Sequence, residues 1–113
     1  MTDWLPEDAT EWSGRAVVHK IADAVARHRA GLCGTVRRVE VRRTTHGTSF
    51  DAWIDDGTGE LVLRWTGRDG VAGVVPGAAL LVEGTIVSAG PPALILNPLY
   101  RFEADGASTT STS

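Results

Sequence analysis

The sequence predicts an all-β protein in which five strands close into a small barrel behind an N-terminal amphipathic helix. The clearest sign is segment 50–65, where apolar and polar residues alternate with a period of two on both sides of an Asp- and Gly-rich turn. Such alternation around a glycine-containing turn is typical of a β-hairpin. Similar segments lie before and after it, and a chain of 113 residues suits a single domain. A sheet of this size avoids exposed edges best by closing on itself.

The helix is predicted for residues 14–30. Val17, Ile21 and Ala24 fall on one face of a helical period, whereas charged residues fall on the other face. Gly31 follows, and glycine is the residue that most often ends a helix. The chain therefore changes from helical to extended periodicity at this point.

Five strands are expected downstream, at residues 32–43, 49–55, 60–65, 79–87 and 93–100. In the first of them, the apolar positions change parity between Val36 and Val39. This change predicts a β-bulge near Arg37 and Arg38. A bulge bends its strand, and a bent first strand can pair with neighbours on both sides of a barrel.

The chain divides into four parts on this interpretation. They are an acidic leader at 1–13, the helix at 14–30, the barrel domain at 31–103 and a small polar tail at 104–113 that is expected to be disordered. Trp4 and Trp12 stand among the acids of the leader. The leader is either disordered or packed through these indoles onto the domain or a partner.

Composition excludes several classes of protein and site. Cys33 is the only cysteine, so neither an internal disulfide nor a metal site built from cysteine pairs can form, and it is expected to be a small buried apolar residue. The apolar runs are too short to cross a bilayer, and residues 1–8 lack the basic and apolar regions of a secretory signal. We therefore expect a cytoplasmic protein that binds no metal and no cofactor.

Charge is distributed unevenly, although the net charge is only −3. Residues 1–14 contain four acids and no base, residues 15–43 contain eight bases and two acids, and residues 44–113 contain three bases and eight acids. Ten of the eleven bases are arginine, which suits bidentate phosphate contacts and stacking on bases. The basic section beside the hairpin points to a polyanionic partner.

Three motifs in this order resemble the OB-fold nucleic-acid-binding family. They are Gly34-Thr35-Val36-Arg37-Arg38-Val39, then Asp55-Asp56-Gly57-Thr58-Gly59-Glu60-Leu61, then Val75-Pro76-Gly77 followed by Leu80-Leu81-Val82-Glu83-Gly84-Thr85-Ile86. The likeness is greatest to the small stand-alone OB proteins of actinobacteria and to the wedge OB domain of RecG-type helicases, and it covers residues 31–102. It implies a five-stranded Greek-key barrel that binds single-stranded or junction nucleic acid through one sheet face and its loops, without catalysis.

In such a fold a ligand usually lies across the second and third strands, between two flanking loops. Phosphates need positive charge there, and bases need flat faces on which to stack. The residues with these properties are Arg37, Arg38, Arg42, Arg43, His46, Trp53, Arg64 and Arg68. Trp53 is the candidate for an exposed stacking platform, whereas Asp51 and Asp55 share its face and are expected to repel phosphate.

Most of these candidates also have a purely structural interpretation. The arginines of the first strand can form a solvated surface, and His46 can be an ordinary turn residue. Trp53 can instead pack beneath the N-terminal helix. Trp65 shares the parity of core leucines, so we expect it inside the barrel.

Two functions stay open at this stage. The first is binding of single-stranded DNA or RNA with little sequence specificity. The second is a protein-interaction module, acting as a subunit or adaptor through Trp4, Trp12 or the N-terminal helix. An enzyme is not expected, because the sequence suggests no nucleophile–base pair and no dinucleotide, phosphate or calcium loop.

Overall fold

A computed structural model describes residues 18–103, and within that range the protein is all-β, as predicted. Its strands are β1 (Val18–His19), β2 (Arg29–Thr44), β3 (Gly47–Asp55), β4 (Glu60–Thr66), β5 (Ala79–Ser88), β6 (Ala93–Leu96) and β7 (Leu99–Phe102). A single 3-10 turn, Ile21–Asp23, lies between β1 and β2. The predicted leader at 1–13 and tail at 104–113 lie outside the described residues.

The strands of residues 18–103 form one mixed sheet in the order β1-β2-β3-β4-β6-β5-β7. β2 also pairs with β5, so that β2, β3, β4, β6 and β5 are joined into a partial ring, with β1 and β7 outside it. Neighbours within the ring are antiparallel, except for β4 and β6, which are parallel. This arrangement leaves few strand edges of the ring unpaired.

The long strand β2 makes the ring possible because it pairs with two partners. Its first part, Arg29–Thr35, lies against β5, and its second part lies against β3. The register with β3 shifts between Val36 and Arg38, which confirms the predicted bulge. Gly34 stands where β2 passes from one partner to the other. A Cβ atom there would lie 2.9 Å from the carbonyl oxygen of Asp55, which is closer than a side chain tolerates.

The helix predicted for residues 14–30 is wrong wherever the structure describes that segment. Residues 18–30 contain β1, the 3-10 turn and the start of β2, and residues 14–17 lie outside the described range. Non-local contacts hold the segment in this form. The backbone N–H of Ile21 donates to Asp56 Oδ2 over 2.9 Å, and β1 pairs in parallel with β2. These contacts take the place of intrahelical hydrogen bonds.

The single strand predicted for residues 93–100 is in fact two strands. β6 and β7 are separated by Asn97, which has a φ of 49°, and by Pro98, which has no backbone N–H. The Asn97 side chain accepts a hydrogen bond from the N–H of Thr66 (2.9 Å), and the Asn97 N–H donates to the carbonyl of Arg64 (2.7 Å). The chain turns at this corner, and β7 then pairs with β5 alone.

Alternate residues of the strands fill the interior of the ring. Its fully buried aliphatic side chains include Leu32, Ile54, Leu61, Leu63, Leu80, Ile86 and Ile95. Trp65 is only 3 % exposed, which confirms its predicted place in the core, and its ring lies edge-on to Tyr100 with centroids 5.7 Å apart. Because side chains fill the ring, it is a packed core, and a ligand has to bind on its outer surface.

Asp56 ties the turn between β3 and β4 to the N-terminal segment. Its carboxylate accepts hydrogen bonds from the backbone N–H groups of Ile21 (2.9 Å), Thr58 (2.8 Å) and Gly59 (3.2 Å). Burial alone would raise the pKa of Asp56. These donors and the Thr58 hydroxyl outweigh burial and hold the pKa below its ordinary value.

Substituting Asp56 with alanine should lower the free energy of unfolding by about 1–2 kcal/mol at pH 7, because several N–H donors lose a charged acceptor. A carboxyl group whose pKa is lower in the folded than in the unfolded protein stabilises the fold above the unfolded pKa, near 4. That contribution disappears as the pH falls through the folded pKa. Urea titrations should therefore show that the stability difference between the wild type and Asp56→Ala shrinks as the pH falls below about 4.

Asp69→Ala is the matched control, since Asp69 is an exposed carboxylate in the loop after β4. We expect this variant to track the wild type at both pH 7 and pH 3. A destabilisation by Asp56→Ala that kept its full size at acid pH would contradict the assigned role of the Asp56 charge.

Candidate functional site

The candidate site lies on the outer surface of β3 and β4. Side chains alternate along a strand, so Asp51 and Trp53 share the outer face of β3, whereas Ala52 and Ile54 point into the core. Arg64 of β4 lies directly across the strand pair from Asp51. The alternation in the sequence therefore places Trp53 and Arg64 on one face, and the structure brings them together there.

Trp53 lies in a depression whose walls are largely apolar. This apolar depression encloses about 300 Å³ and is lined by Trp53, Val62, Arg64, Ser88, Pro92 and Leu94. Val62 and Leu94 are paired across β4 and β6 and form a floor beside the indole. A flat aromatic ring next to an apolar floor suits a planar, weakly hydrated ligand group.

The guanidinium of Arg38 covers one face of the Trp53 ring. Its central carbon lies 3.7 Å from the ring centroid, which is a cation–π contact. Arg38 Nη1 also lies 3.5 Å from a carboxylate oxygen of Glu40. Trp53 is consequently half-buried rather than freely exposed. The alternative expectation was that Trp53 packs beneath an N-terminal helix, but in the structure Arg38 covers it.

A buried carboxylate anchors two arginines of this surface. Asp51 is 1 % exposed, and Arg64 donates two hydrogen bonds of 2.9 Å to it, from Nε to Oδ1 and from Nη2 to Oδ2. Arg42 Nη1 lies 3.7 Å from Oδ2. Hydrogen bonding to Asp51 outweighs burial and raises the pKa of Arg64 above its ordinary value. Two cations around one anion leave a positive excess at this point of the surface. Asp51 was expected to repel phosphate, but in the structure it holds two arginines in place.

A second depression adjoins the first at Arg64 and is polar. This polar depression also encloses about 300 Å³ and is lined by Arg42, Thr44, His46, Gly47, Thr48, Ser49, Arg64, Thr66 and Gly67. His46 belongs to the turn between β2 and β3, where its backbone N–H donates to Thr44 Oγ1 over 3.1 Å. Hydroxyl and guanidinium groups are frequent partners of phosphate oxygens. We call the apolar and polar depressions together the groove.

Three of the predicted residues lie outside the groove lining. Arg37 Nε lies 3.8 Å from a carboxylate oxygen of Asp55, and Arg43 is exposed opposite Thr48 on the neighbouring strand. Arg68 is exposed in the loop after β4, where it lines a separate polar depression. The residues that the structure gathers at the groove or against Trp53 are Arg38, Arg42, His46, Trp53 and Arg64.

Positive charge exceeds negative charge on this surface. The arginines that line the groove or cover Trp53 are Arg38, Arg42 and Arg64. The carboxylates paired with them are Glu40 and Asp51. Three cations against two anions leave an excess of one positive charge, although the whole chain carries −3.

The apolar floor was missed by sequence analysis. Val62 shares the parity of Arg64, so the alternation along β4 already contained the signal that it faces outward. Ser88, Pro92 and Leu94 had no such local signal. They belong to the β5–β6 region and reach the groove through the parallel pairing of β4 with β6.

Other kinds of site find little support among residues 18–103. No group of three His, Cys, Asp or Glu side chains in this range is placed to hold a metal ion. Cys33 was expected to be fully buried, but it is half-buried. Burial, aided by the charges of Glu103 and Asp56, raises the pKa of its thiol. A raised pKa keeps the thiol protonated and unreactive. The described range also contains no helix with the length and apolar character that a bilayer crossing requires.

Comparison with known proteins adds no assignment to this geometry. No protein-family model matches the chain, and no curated protein matches it. The groove itself therefore has to carry the functional interpretation.

Proposed function

We propose that the partial ring is a five-stranded OB-fold Greek-key barrel and that the chain binds single-stranded DNA or RNA without catalysis. The ring order β2-β3-β4-β6-β5, with its one parallel pair, supports this fold. So does the bent and bulged first strand of the ring, which pairs with both β3 and β5. Barrels of this kind hold nucleic acid on the face of their second and third strands, which are β3 and β4 in this chain.

The observation that carries the proposal is the meeting of an indole, an apolar floor and arginines in one groove. A base can stack at Trp53 against Val62 and Leu94, while neighbouring phosphates meet Arg42 and Arg64. Base stacking and neutralisation of the backbone are the two interactions by which proteins hold single strands. Neither interaction reads base edges, so we expect little sequence specificity.

No catalytic residue, cofactor or metal belongs to this proposal. The ionisable groups that line the groove are arginines paired with carboxylates, together with His46 in the turn between β2 and β3. Such pairs position charge, and they supply no activated nucleophile.

Fluorescence anisotropy with labelled oligonucleotides tests the proposal. The full chain is titrated into single-stranded DNA, single-stranded RNA and duplex DNA of equal length at about 50 and about 200 mM salt. We expect weak binding to the single strands that falls steeply with salt, and much weaker binding to the duplex. Absence of binding at the lower salt concentration, with recovery of a defined protein partner, would favour the protein-interaction module instead. Trp4 and Trp12, which lie outside the described residues, would then be its expected contacts.

Reversing the charge of Arg42 should weaken binding and also change its salt dependence. If Arg42 contacts one phosphate, Arg42→Glu reduces the slope of log K against log salt by about 0.7–1. Arg101→Glu is the matched control, because Arg101 is exposed on β7, outside the groove. Equal losses of affinity in the two variants would mean that only overall charge matters, and the groove would lose its assigned role.

A further inference from the structure

The groove also has the chemistry of a docking surface for an acidic, aromatic peptide. It carries excess positive charge and an apolar floor beside Trp53. The leader of this same chain has the complementary chemistry. Residues 1–14 contain no base, and they contain Asp3, Glu7, Asp8 and Glu11 together with Trp4 and Trp12. The leader thus combines negative charge with flat rings, the two properties for which the groove selects in a single-stranded nucleic acid.

The described part of the chain begins at the end of the β3–β4 pair that carries the apolar depression. Ile21 and Ala22 donate backbone hydrogen bonds to Asp56 and Thr58 in the turn between these two strands. Trp53 and Val62, which are paired across β3 and β4 and line the apolar depression, flank this turn. Val18, the first described residue, precedes Ile21 by three positions.

The length of the leader is sufficient to reach the groove. The segment 1–17 precedes the described residues, and it spans up to about 56 Å when fully extended. The longest dimension of the molecule is 44 Å. The point at which this segment joins the barrel is fixed, since Ile21 and Ala22 donate backbone hydrogen bonds to Asp56 and Thr58. A tether of this length gives millimolar effective concentrations, so even a weak contact becomes populated.

We infer that the leader, residues 1–13, docks in the groove of its own chain and competes there with nucleic acid. The leader carboxylates face Arg42 and Arg64, and one of its indoles lies on the floor formed by Val62 and Leu94. Docking itself is independent of the proposed function, whereas the competition rests on it. Binding therefore requires that the nucleic acid displace a segment with similar chemistry.

The first test needs no nucleic acid. Nuclear magnetic resonance spectra of the full chain are compared with those of the variant Asp3→Asn/Glu7→Gln/Asp8→Asn/Glu11→Gln. We expect the side-chain N–H signals of Trp53 and Arg64 to shift, and the control Asp69→Asn to leave them in place. Unchanged groove signals in the leader variant would overturn the docking. Shifts that grow with protein concentration would also overturn it, since they would assign the contact to a second copy.

The second test measures the competition. Without the leader charges, affinity for single-stranded DNA at about 50 mM salt should rise by about 2–10-fold, as expected for a weak contact at millimolar effective concentration. Groove shifts without DNA binding by either protein would retain the docking and refute the proposed function. Equal DNA affinities in the two proteins, with unchanged groove signals, would retain the proposed function and refute the docking.

Discussion

Replacing Arg64 with leucine should lower the free energy of unfolding by about 3 kcal/mol, although Arg64 lies on the outer surface of the ring. Asp51 is 1 % exposed, and both of its oxygens accept hydrogen bonds of 2.9 Å from Arg64. Removing one partner of a buried pair leaves the other charge uncompensated, which typically costs about 3–5 kcal/mol. Arg42 stays 3.7 Å from Asp51 and offsets part of this loss, so the lower end of the range is expected.

Denaturant titrations of three variants separate the contribution of the pair from the mere loss of an arginine. Arg68→Leu removes an exposed arginine from the following loop and should change the free energy of unfolding by less than about 0.5 kcal/mol. The double variant Asp51→Val/Arg64→Leu should recover most of the loss, because apolar replacement of a whole buried pair is often neutral. If Arg64→Leu and Arg68→Leu were equally mild, Asp51 would not depend on Arg64.

The strands of the ring could be predicted from sequence because their signals are local. The turn at 55–59 and the alternation on either side define β3 and β4 without reference to the rest of the chain. The bulge in β2 was readable for the same reason, since a change of parity between Val36 and Val39 lies within one strand. The break at Asn97 was missed because its hydrogen bonds are made to a different strand.

The N-terminal segment could not be predicted because its partners are distant in sequence. Ile21 and Ala24 have the spacing of one helix face, but in the structure they pack at the core as parts of a 3-10 turn and the loop after it. The turn is held by Asp56, 35 positions further along the chain from Ile21. At Arg27, a φ of 71° and a hydrogen bond to the carbonyl of Ile86 interrupt any helix. Such tertiary contacts override a periodicity that is only amphipathic.

The site could be predicted as a set of residue types, but its electrostatics required the strand register. From sequence, Asp51 is an anion on the predicted binding face. The pairing of Asp51 opposite Arg64 turns it into a buried anchor for two arginines. The cover of Trp53 by Arg38 likewise follows from their pairing across β2 and β3, next to the bulge. A one-residue change in the β3–β4 register would remove the first contact, and one in the β2–β3 register would remove the second.

Truncating Trp53 to alanine should weaken binding of single-stranded nucleic acid by about 1–3 kcal/mol, or about 5–150-fold in affinity. The indole is the aromatic ring of the apolar depression, with Val62 and Leu94 beside it. Without it, a base loses its stacking surface. The Arg38 guanidinium also loses the ring that holds it 3.7 Å from the Trp53 centroid. Fluorescence anisotropy titration measures the loss, and a thermal melt confirms that the variant is folded.

The salt dependence of the Trp53 variant distinguishes stacking from charge. Trp53→Ala removes no charge, so it should lower affinity by the same factor at about 50 and about 200 mM salt, whereas Arg42→Glu should change the slope. Trp53→Phe keeps a flat ring and should retain most of the affinity. Phe102→Ala removes a 45 % exposed ring of β7, outside the groove, and should have no effect. If Trp53→Ala and Phe102→Ala were indistinguishable, bases would not stack at Trp53, and the arginines alone would have to account for binding.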